Sequence, residues 1–323
     1  MSLKFNKKLI HWLGRLLMLL SFVYLGRAIY TQVSGFHGIV FSAGAIVALA
    51  ALVLFYFSQW IVAANIWRCL LHGGNVYISL RKSFMIVGQA QIAKYLPGNI
   101  FQYVGRLTLS YKYNIPTAVV ANTIGIELII CVLSCLLLAA VEVMFVPEII
   151  NSWLPFVDRA LIVKLLAGTA FIAICCMGGL IFSRRLREWF ASRRSYIKPL
   201  RMLLCIGQFL AVFTTLGAFA WFIAHSVFGV SSGLPWYRYA GRITLAWLIG
   251  FVVPGAPGGL GIREALTVKM FEDDLGEGVA LCLALAMRLC NIAGDMLVFL
   301  AAWLLAMKFK DNPKTQDTTL PAS

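Results

Sequence analysis

Charged residues are scarce in this sequence: Asp, Glu, Lys and Arg together make up 13% of the 323 residues, while 61% are hydrophobic. Soluble globular proteins average about 25% charged residues, so an ordinary soluble domain is excluded. Several apolar runs reach the roughly 20 residues that an α-helix needs to cross a bilayer. The composition therefore predicts an all-α polytopic membrane protein, with one integral membrane domain at 1–307 and a disordered cytoplasmic tail at 308–323.

The sequence also lacks the spacings by which metal and redox sites are recognised. It has no C-x-x-C pair and no H-x-x-x-H pair, and its four histidines are scattered. Nearly all of the eight cysteines lie inside apolar runs, where a thiol acts as a small apolar packing group. No metal site and no cofactor are predicted. The nucleotide-binding motif G-x-x-x-x-G-K-[ST] is missing too, so energy from a P-loop nucleotide site is not expected.

Acidic residues are fewer than basic ones, which gives a formal net charge of +15. The Lys and Arg residues concentrate in short loops between apolar runs, most densely at 183–201, SRRLREWFASRRSYIKPLR. Such loops remain in the cytoplasm of membrane proteins and attract anionic lipid headgroups. The excess of positive charge therefore indicates membrane topology, not nucleic-acid binding, and it predicts that both termini are cytoplasmic.

Six apolar runs are long enough to span a bilayer, at 9–28, 39–66, 117–145, 161–182, 202–224 and 279–307. The first run has no A-x-A-like cleavage site after it, so we expect an uncleaved span. Loop charges alternate between the two sides only if two interrupted stretches, at about 82–113 and 237–271, each return to the side from which they start. The sequence thus predicts six transmembrane helices plus two opposed re-entrant broken-helix hairpins.

Two short motifs explain why these stretches are interrupted. KYLPGNIFQYVGR lies at 94–106 and VVPGAPGGLGIREA at 252–265. Proline and glycine end a helix, and irregular backbone at membrane depth must line a cavity or pack against protein. The outbound helix of each hairpin then starts inside the membrane, where its free N–H groups bind anions. The predicted hairpin tips are Pro97, Gly98, Pro254, Gly255, Pro257 and Gly261.

Cations and amides near these helix ends are candidates for binding a buried anion, because opposed broken helices mark transport sites. In the last apolar run, Arg288, Asn291 and Asp295 share one helical face. For Lys94 and Arg106 the alternative is that they extend to the membrane interface as anchors. The predicted substrate-binding residues are Lys94, Asn99, Gln102, Arg106, Gly258, Gly259, Arg263, Arg288 and Asn291.

Three carboxylates lie among the predicted cations, and intramembrane charges are costly unless paired. Glu127, Glu264 and Asp295 are therefore candidates for coupling a proton or for pairing with the cations. We expect Asp295 or Glu264 to pair with an arginine in the empty site and to release it to the ligand. The alternative is a structural role, in which fixed ion pairs join the acids to the arginines.

The motifs at 94–106 and 252–265 resemble the paired signatures of the lysylphosphatidylglycerol synthase transmembrane family. This family includes the flippase half of the multiple peptide resistance factor and stand-alone inner-membrane relatives. The resemblance spans roughly residues 10–307. It rests on Lys94, Pro97, Gly98 and Arg106 in the first motif and on Pro254, Pro257, Gly258, Gly259, Gly261, Arg263 and Glu264 in the second.

The resemblance implies that the protein moves a lipid across the bacterial inner membrane. The implied partner is an anionic or zwitterionic membrane lipid, and both prenyl-phosphate-linked and hopanoid-type lipids are left open. Whether the protein forms a homo-oligomer is also left open. The synthases carry a soluble aminoacyl-transferase domain after the membrane part. Here only a short polar tail follows, so lipid aminoacylation is not expected.

The leading hypothesis is thus a lipid flippase or lipid transporter that is not an enzyme. One alternative is a membrane enzyme acting on a lipid phosphate. Its base would have to lie near the cations, whereas His11, His37, His72 and His225 all lie near the ends of apolar runs. The other alternative is a non-transporting subunit of a glycosyltransferase or lipid-synthesis complex.

Overall fold

The computed structural model describes residues 43–96, 100–145, 198–230, 233–252 and 257–309. Within these ranges the chain is helical and contains no strand. The helices are α1 (Ala43–Gly73), α2 (Leu80–Gln91), α3 (Phe101–Lys112), α4 (Thr117–Phe145), α5 (Pro199–Phe222), α6 (Trp236–Val252), α7 (Ile262–Leu275) and α8 (Glu277–Lys308). The prediction of an all-α fold is confirmed.

Four helices are long and apolar enough to cross a membrane: α1, α4 over Thr117–Ala139, α5 with its continuation to Val227, and α8. They coincide with four of the predicted spans, and the prediction of a membrane protein with transmembrane helices is confirmed to this extent. The predicted spans at 9–28 and 161–182, and the tail after Phe309, lie outside the described residues.

Helices α2 and α3 form the first broken pair. The hydroxyl of Ser79 caps α2 by accepting the N–H of Lys82 at 3.2 Å. The helix then tightens into a 3-10 segment, Ile92–Tyr95, and Leu96 is extended at φ −75° and ψ 145°. Leu96 precedes a proline, whose ring disfavours helical backbone at the residue before it. Local sequence therefore ends the helix at this position.

Helices α6 and α7 form the second broken pair. A 3-10 turn, Pro257–Gly259, precedes α7, and Gly258 and Gly259 have positive φ values of 58° and 73°. Only glycine adopts such backbone at little cost. The buried guanidinium of Arg242 on α6 bonds the carboxylate of Asp274 at 2.5 Å and the carbonyl of Met270 at 2.6 Å. These bonds hold α7 against α6.

Helix α8 lies beside both breaks. It packs against α1, α2 and α7, and it contacts the 3-10 segment Ile92–Tyr95. That segment in turn contacts the 3-10 turn Pro257–Gly259, so the two breaks meet next to α8. A single residue, Gly276 with φ 80° and ψ 149°, separates α7 from α8.

Small residues bring several helices unusually close. A Cβ atom at Gly217 of α5 would overlap the backbone of Ala240 on α6, and one at Gly88 of α2 would lie 2.7 Å from the Cβ of Ala302 on α8. Large apolar side chains point outward on α1 and α5, among them Val47 and Leu200. Exposed apolar faces of this kind suit contact with lipid.

Candidate functional site

Asp295 of α8 is the most completely bonded carboxylate beside the first break. It is fully buried. Its Oδ2 accepts the hydroxyl of Tyr95 at 2.7 Å and pairs with Lys94 Nζ at 2.5 Å. Its Oδ1 accepts the hydroxyl of Tyr56 at 3.1 Å and the amide of Gln91 at 3.5 Å. Asp295 therefore ties α1 and the end of α2 to α8.

The residues around Lys94 and Tyr56 hold these two side chains next to Asp295. The side chain of Lys94 is only 15% exposed, and its Nζ lies 5.6 Å from the centre of the Trp60 ring. The ring of Tyr56 lies where a Cβ atom at Gly294 would overlap it. A glycine next to Asp295 is thus what allows the tyrosine ring to approach.

Arg288 lies seven residues before Asp295, about 10 Å along α8, and faces the second break. The residue is 5% exposed. Its Nη1 donates to the carbonyl of Gly258 at 3.0 Å, and its Nε lies 3.3 Å from Oε1 of Glu264. Among the described residues, neither Nε nor Nη2 has a hydrogen-bond partner. Arg288 is therefore buried with part of its donor capacity unused.

Glu264 lies in the first turn of α7. Its Oε2 accepts the N–H of Gly261 at 2.6 Å, so the carboxylate caps the helix of which it is part. Its Oε1 belongs to the ion pair with Arg288. The carboxylate thus lies between a helix N-terminus and a guanidinium.

Arg263 also lies in the first turn of α7, between two glycines. A Cβ atom at Gly250 would overlap its side chain, and one at Gly259 would lie 2.5 Å from its Nε. The guanidinium lies 4.9 Å from the centre of the Trp247 ring. In the described part of the chain its Nε has no hydrogen-bond partner, and no carboxylate lies within salt-bridge distance. Arg263 is held by packing and by the aromatic ring.

The side chains that surround the two breaks form one group, which we name the charge cluster. The guanidinium of Arg288 lies 5.9 Å from the centre of the Tyr95 ring, and the hydroxyl of Tyr95 donates to Asp295, so the groups at the two breaks are neighbours. The cluster consists of Lys94, Arg263, Glu264, Arg288 and Asp295.

Arg106 and Glu127 are placed differently. Nη1 of Arg106 lies 2.6 Å from Oε2 of Glu127, and their side chains are 5% and 10% exposed. The guanidinium also lies 5.9 Å from the Trp67 ring and 5.7 Å from the Tyr103 ring. The two form a buried ion pair between α3 and α4, and within the described residues neither of them bonds a member of the charge cluster.

The other predicted site residues are only partly described. Gln102 and Asn291 are half-buried, and Gly258 and Gly259 are buried in the turn that receives Arg288. Gly261 caps α7, and Pro257 begins the 3-10 turn. The residues that lie outside the described ranges are Pro97, Gly98, Asn99, Pro254 and Gly255.

Sequence reasoning missed the tyrosines and the glycines that complete the site. Tyr56 and Tyr95 donate to Asp295, and Gly250 and Gly294 leave space for Arg263 and Tyr56. One signal was available, since Tyr95 directly follows Lys94 in the first motif.

Comparisons with family models, curated proteins and solved structures give no match for this chain. The described residues also contain no group of three or more His, Cys, Asp or Glu side chains that could hold a metal ion. The charge cluster is therefore the part of the molecule from which we infer a function.

Proposed function

We propose that this protein is a lipid flippase or lipid transporter that moves a phosphate-bearing lipid across the bacterial inner membrane. In this proposal six helices span the bilayer, the two broken pairs are opposed re-entrant hairpins, and both termini are cytoplasmic. The headgroup binds at the charge cluster between the two breaks, and the acyl chains stay in the bilayer. The resemblance of both motifs to the lysylphosphatidylglycerol synthase transmembrane family supports the same function.

The observation that carries the proposal is the state of Arg288. A guanidinium that is 5% exposed and leaves Nε and Nη2 without hydrogen bonds is costly to bury. Such a cost is understandable if a ligand supplies the missing acceptors. A phosphate group accepts two parallel bonds from a guanidinium, which suits this arginine.

The surroundings of Arg288 also favour an anion. The carboxylate that pairs with Arg288 also accepts the N–H of Gly261, so the N-terminus of α7 lies beside this arginine, and helix N-termini bind phosphate. Arg263 adds a second cation that no described carboxylate neutralises. The outward apolar side chains of α1 and α5 suit a ligand whose tails remain in lipid.

Reconstitution tests the proposal. Full-length protein is placed in vesicles containing a phospholipid with a fluorescent headgroup, and its movement between leaflets is followed by chemical quenching from outside. We expect movement with the parent protein and a loss of about 10- to 100-fold in rate with Arg288→Ala, since hydrogen bonds to charged groups contribute about 1.5–3 kcal/mol.

Lys269→Ala is the matched control, because Lys269 is a cation on the exposed face of α7 that pairs with Glu272. It should move lipid as fast as the parent protein. Equal rates for the parent, Arg288→Ala and protein-free vesicles would contradict the proposal.

A further inference from the structure

The carboxylate of Glu264 lies where the proposed function places the lipid phosphate. Its two oxygens contact the N–H of Gly261 at 2.6 Å and Nε of Arg288 at 3.3 Å. A helix N-terminus and a guanidinium are the groups that bind phosphate in proteins. The carboxylate of Glu264 therefore occupies a site that has the groups needed to bind a phosphate.

We propose that Glu264 is an internal competitor of the ligand, which holds Arg288 in the empty site and is displaced from it by the phosphate group. This inference rests on the proposed function and adds a specific residue that sets the affinity of the site. The exchange is non-covalent: one anion leaves Arg288 and Gly261, and another takes its place.

The structure distinguishes Glu264 from Asp295 in this role. Asp295 is fully buried and accepts bonds from Lys94, Tyr95 and two further donors. The side chain of Glu264 is 11% exposed and has two contacts, of which the bond to Gly261 lies at the exposed edge. Moving Asp295 would leave Lys94 without its counter-charge, whereas the side chain of Glu264 is already partly exposed.

The grip of Glu264 on Arg288 is also incomplete. The carboxylate is close enough to Nε for an ion pair, yet Nε and Nη2 form no hydrogen bond within the described residues. A phosphate group that approached Arg288 would gain bonds that the carboxylate does not make. A phosphate group can therefore displace the carboxylate of Glu264 from Arg288.

The exchange preserves the charge of the cluster. Lys94, Arg263 and Arg288 contribute three positive charges, and Asp295 and Glu264 contribute two negative charges, which leaves a net +1. Replacing one carboxylate by one singly charged phosphate leaves this sum unchanged. Arg288 then has a counter-charge in both the empty and the occupied site.

Glu264→Gln tests the inference, because glutamine at this position still accepts the N–H of the capping residue and keeps the helix cap. Binding of short-chain phosphatidylglycerol to purified full-length protein is measured by thermal shift, and lipid movement is measured in vesicles. If Glu264 holds Arg288 in most empty molecules, removing its charge should tighten binding by about tenfold. Release should slow, so the transport rate should fall at the same time.

Two further variants make the test specific. Glu272→Gln, on the same helix but paired with the exposed Lys269, should leave binding and transport at the parent values. Glu264→Asp keeps the charge but is too short to bridge Gly261 and Arg288, so it should tighten binding less than Glu264→Gln. It also replaces Glu264→Gln as the test if that variant does not fold.

Inorganic phosphate is the second probe and separates the inference from the proposed function. Tighter phosphate binding by the Glu264 variants, without lipid movement by any protein, would support the competitor role and contradict lipid transport. Unchanged or weaker binding of both probes by folded Glu264 variants would overturn the inference. If Asp295→Asn tightened binding as much as the Glu264 variants do, the competitor role could not be assigned to Glu264.

Discussion

Individual charged residues of the cluster differ in how completely they are paired. Asp295 accepts from four described donors, whereas the Nε atoms of Arg263 and Arg288 have no hydrogen-bond partner among the described residues. Buried polar groups without partners destabilise a protein by about 1–3 kcal/mol each. In the proposed function the unpaired donors are the ligand-binding groups, whereas Asp295 has a structural role.

Gly294→Ala should destabilise the protein by about 1–3 kcal/mol, since overpacking a filled site costs that much. The new Cβ atom would overlap the ring of Tyr56 and push its hydroxyl away from Asp295. Chemical unfolding of the full-length protein in mixed detergent micelles measures the loss. Gly125→Ala on α4 is the control, because a Cβ atom there would have no atom of another described helix within 4 Å. Equal stability of Gly294→Ala and the parent protein would show that the Tyr56 contact is not tight.

The sequence predicted that Glu264 or Asp295 pairs with an arginine, but it did not identify Lys94 as the partner of Asp295 or Glu127 as the partner of Arg106. Two signals came from local spacing: Arg288 and Asp295 share a helical face, and Arg263 and Glu264 begin a helix after glycines. The bond between Tyr56 and Asp295 joins residues 239 positions apart. The pairing of Arg106 with Glu127 likewise depends on how α3 packs on α4. No periodicity of a single helix contains that information.

At the scale of helices, breaks were easier to predict than contacts. Proline and glycine act on the residues beside them, so the ends of α2 and α6 follow from the local sequence. The predicted run at 117–145 has the bounds of α4. Close approach of two helices instead requires small residues on both partners, and α5 and α6 meet in this way at Gly217 and Ala240.

Gly217→Val should force α5 and α6 apart, because the added side chain would overlap the backbone of Ala240. Cores of this kind lose about 1–3 kcal/mol, occasionally more, on overpacking. We expect a lower unfolding temperature and less monodisperse protein in size-exclusion chromatography. Gly207→Val on the same helix would place its Cβ atom more than 4 Å from every other described helix and should behave like the parent protein. If both variants lost similar stability, the cause would be valine within a helix and not the contact between Gly217 and Ala240.

At the scale of the whole molecule, charge differs between the two ends of α8. The acidic stretch 272–277 lies at the start of α8. At the other end, the guanidinium carbon of Arg81 lies 3.8 Å from the centre of the Phe309 ring. The helix has 32 residues and is about 48 Å long. Because Lys and Arg favour the cytoplasmic side, the proposed topology places the C-terminal end of α8 and Arg81 on that side.

Opposed hairpins can be tested by labelling single cysteines from one side of the membrane. Lys112→Cys at the end of α3 should react only with a reagent applied from the cytoplasm, and Glu277→Cys at the start of α8 only with one applied from outside. Both positions are exposed. The parent protein gives the background from its own cysteines. Reaction of both variants from the same side would rule out the opposed arrangement.

The single glycine between α7 and α8 makes the charge cluster sensitive to the angle between these helices. Glu264 lies 12 residues before Gly276, so α7 acts as a lever about 18 Å long. A rotation of about 10° at this joint would displace Glu264 by about 3 Å, comparable to its 3.3 Å separation from Arg288. A small change in helix tilt is therefore enough to make or break the pairing of this carboxylate.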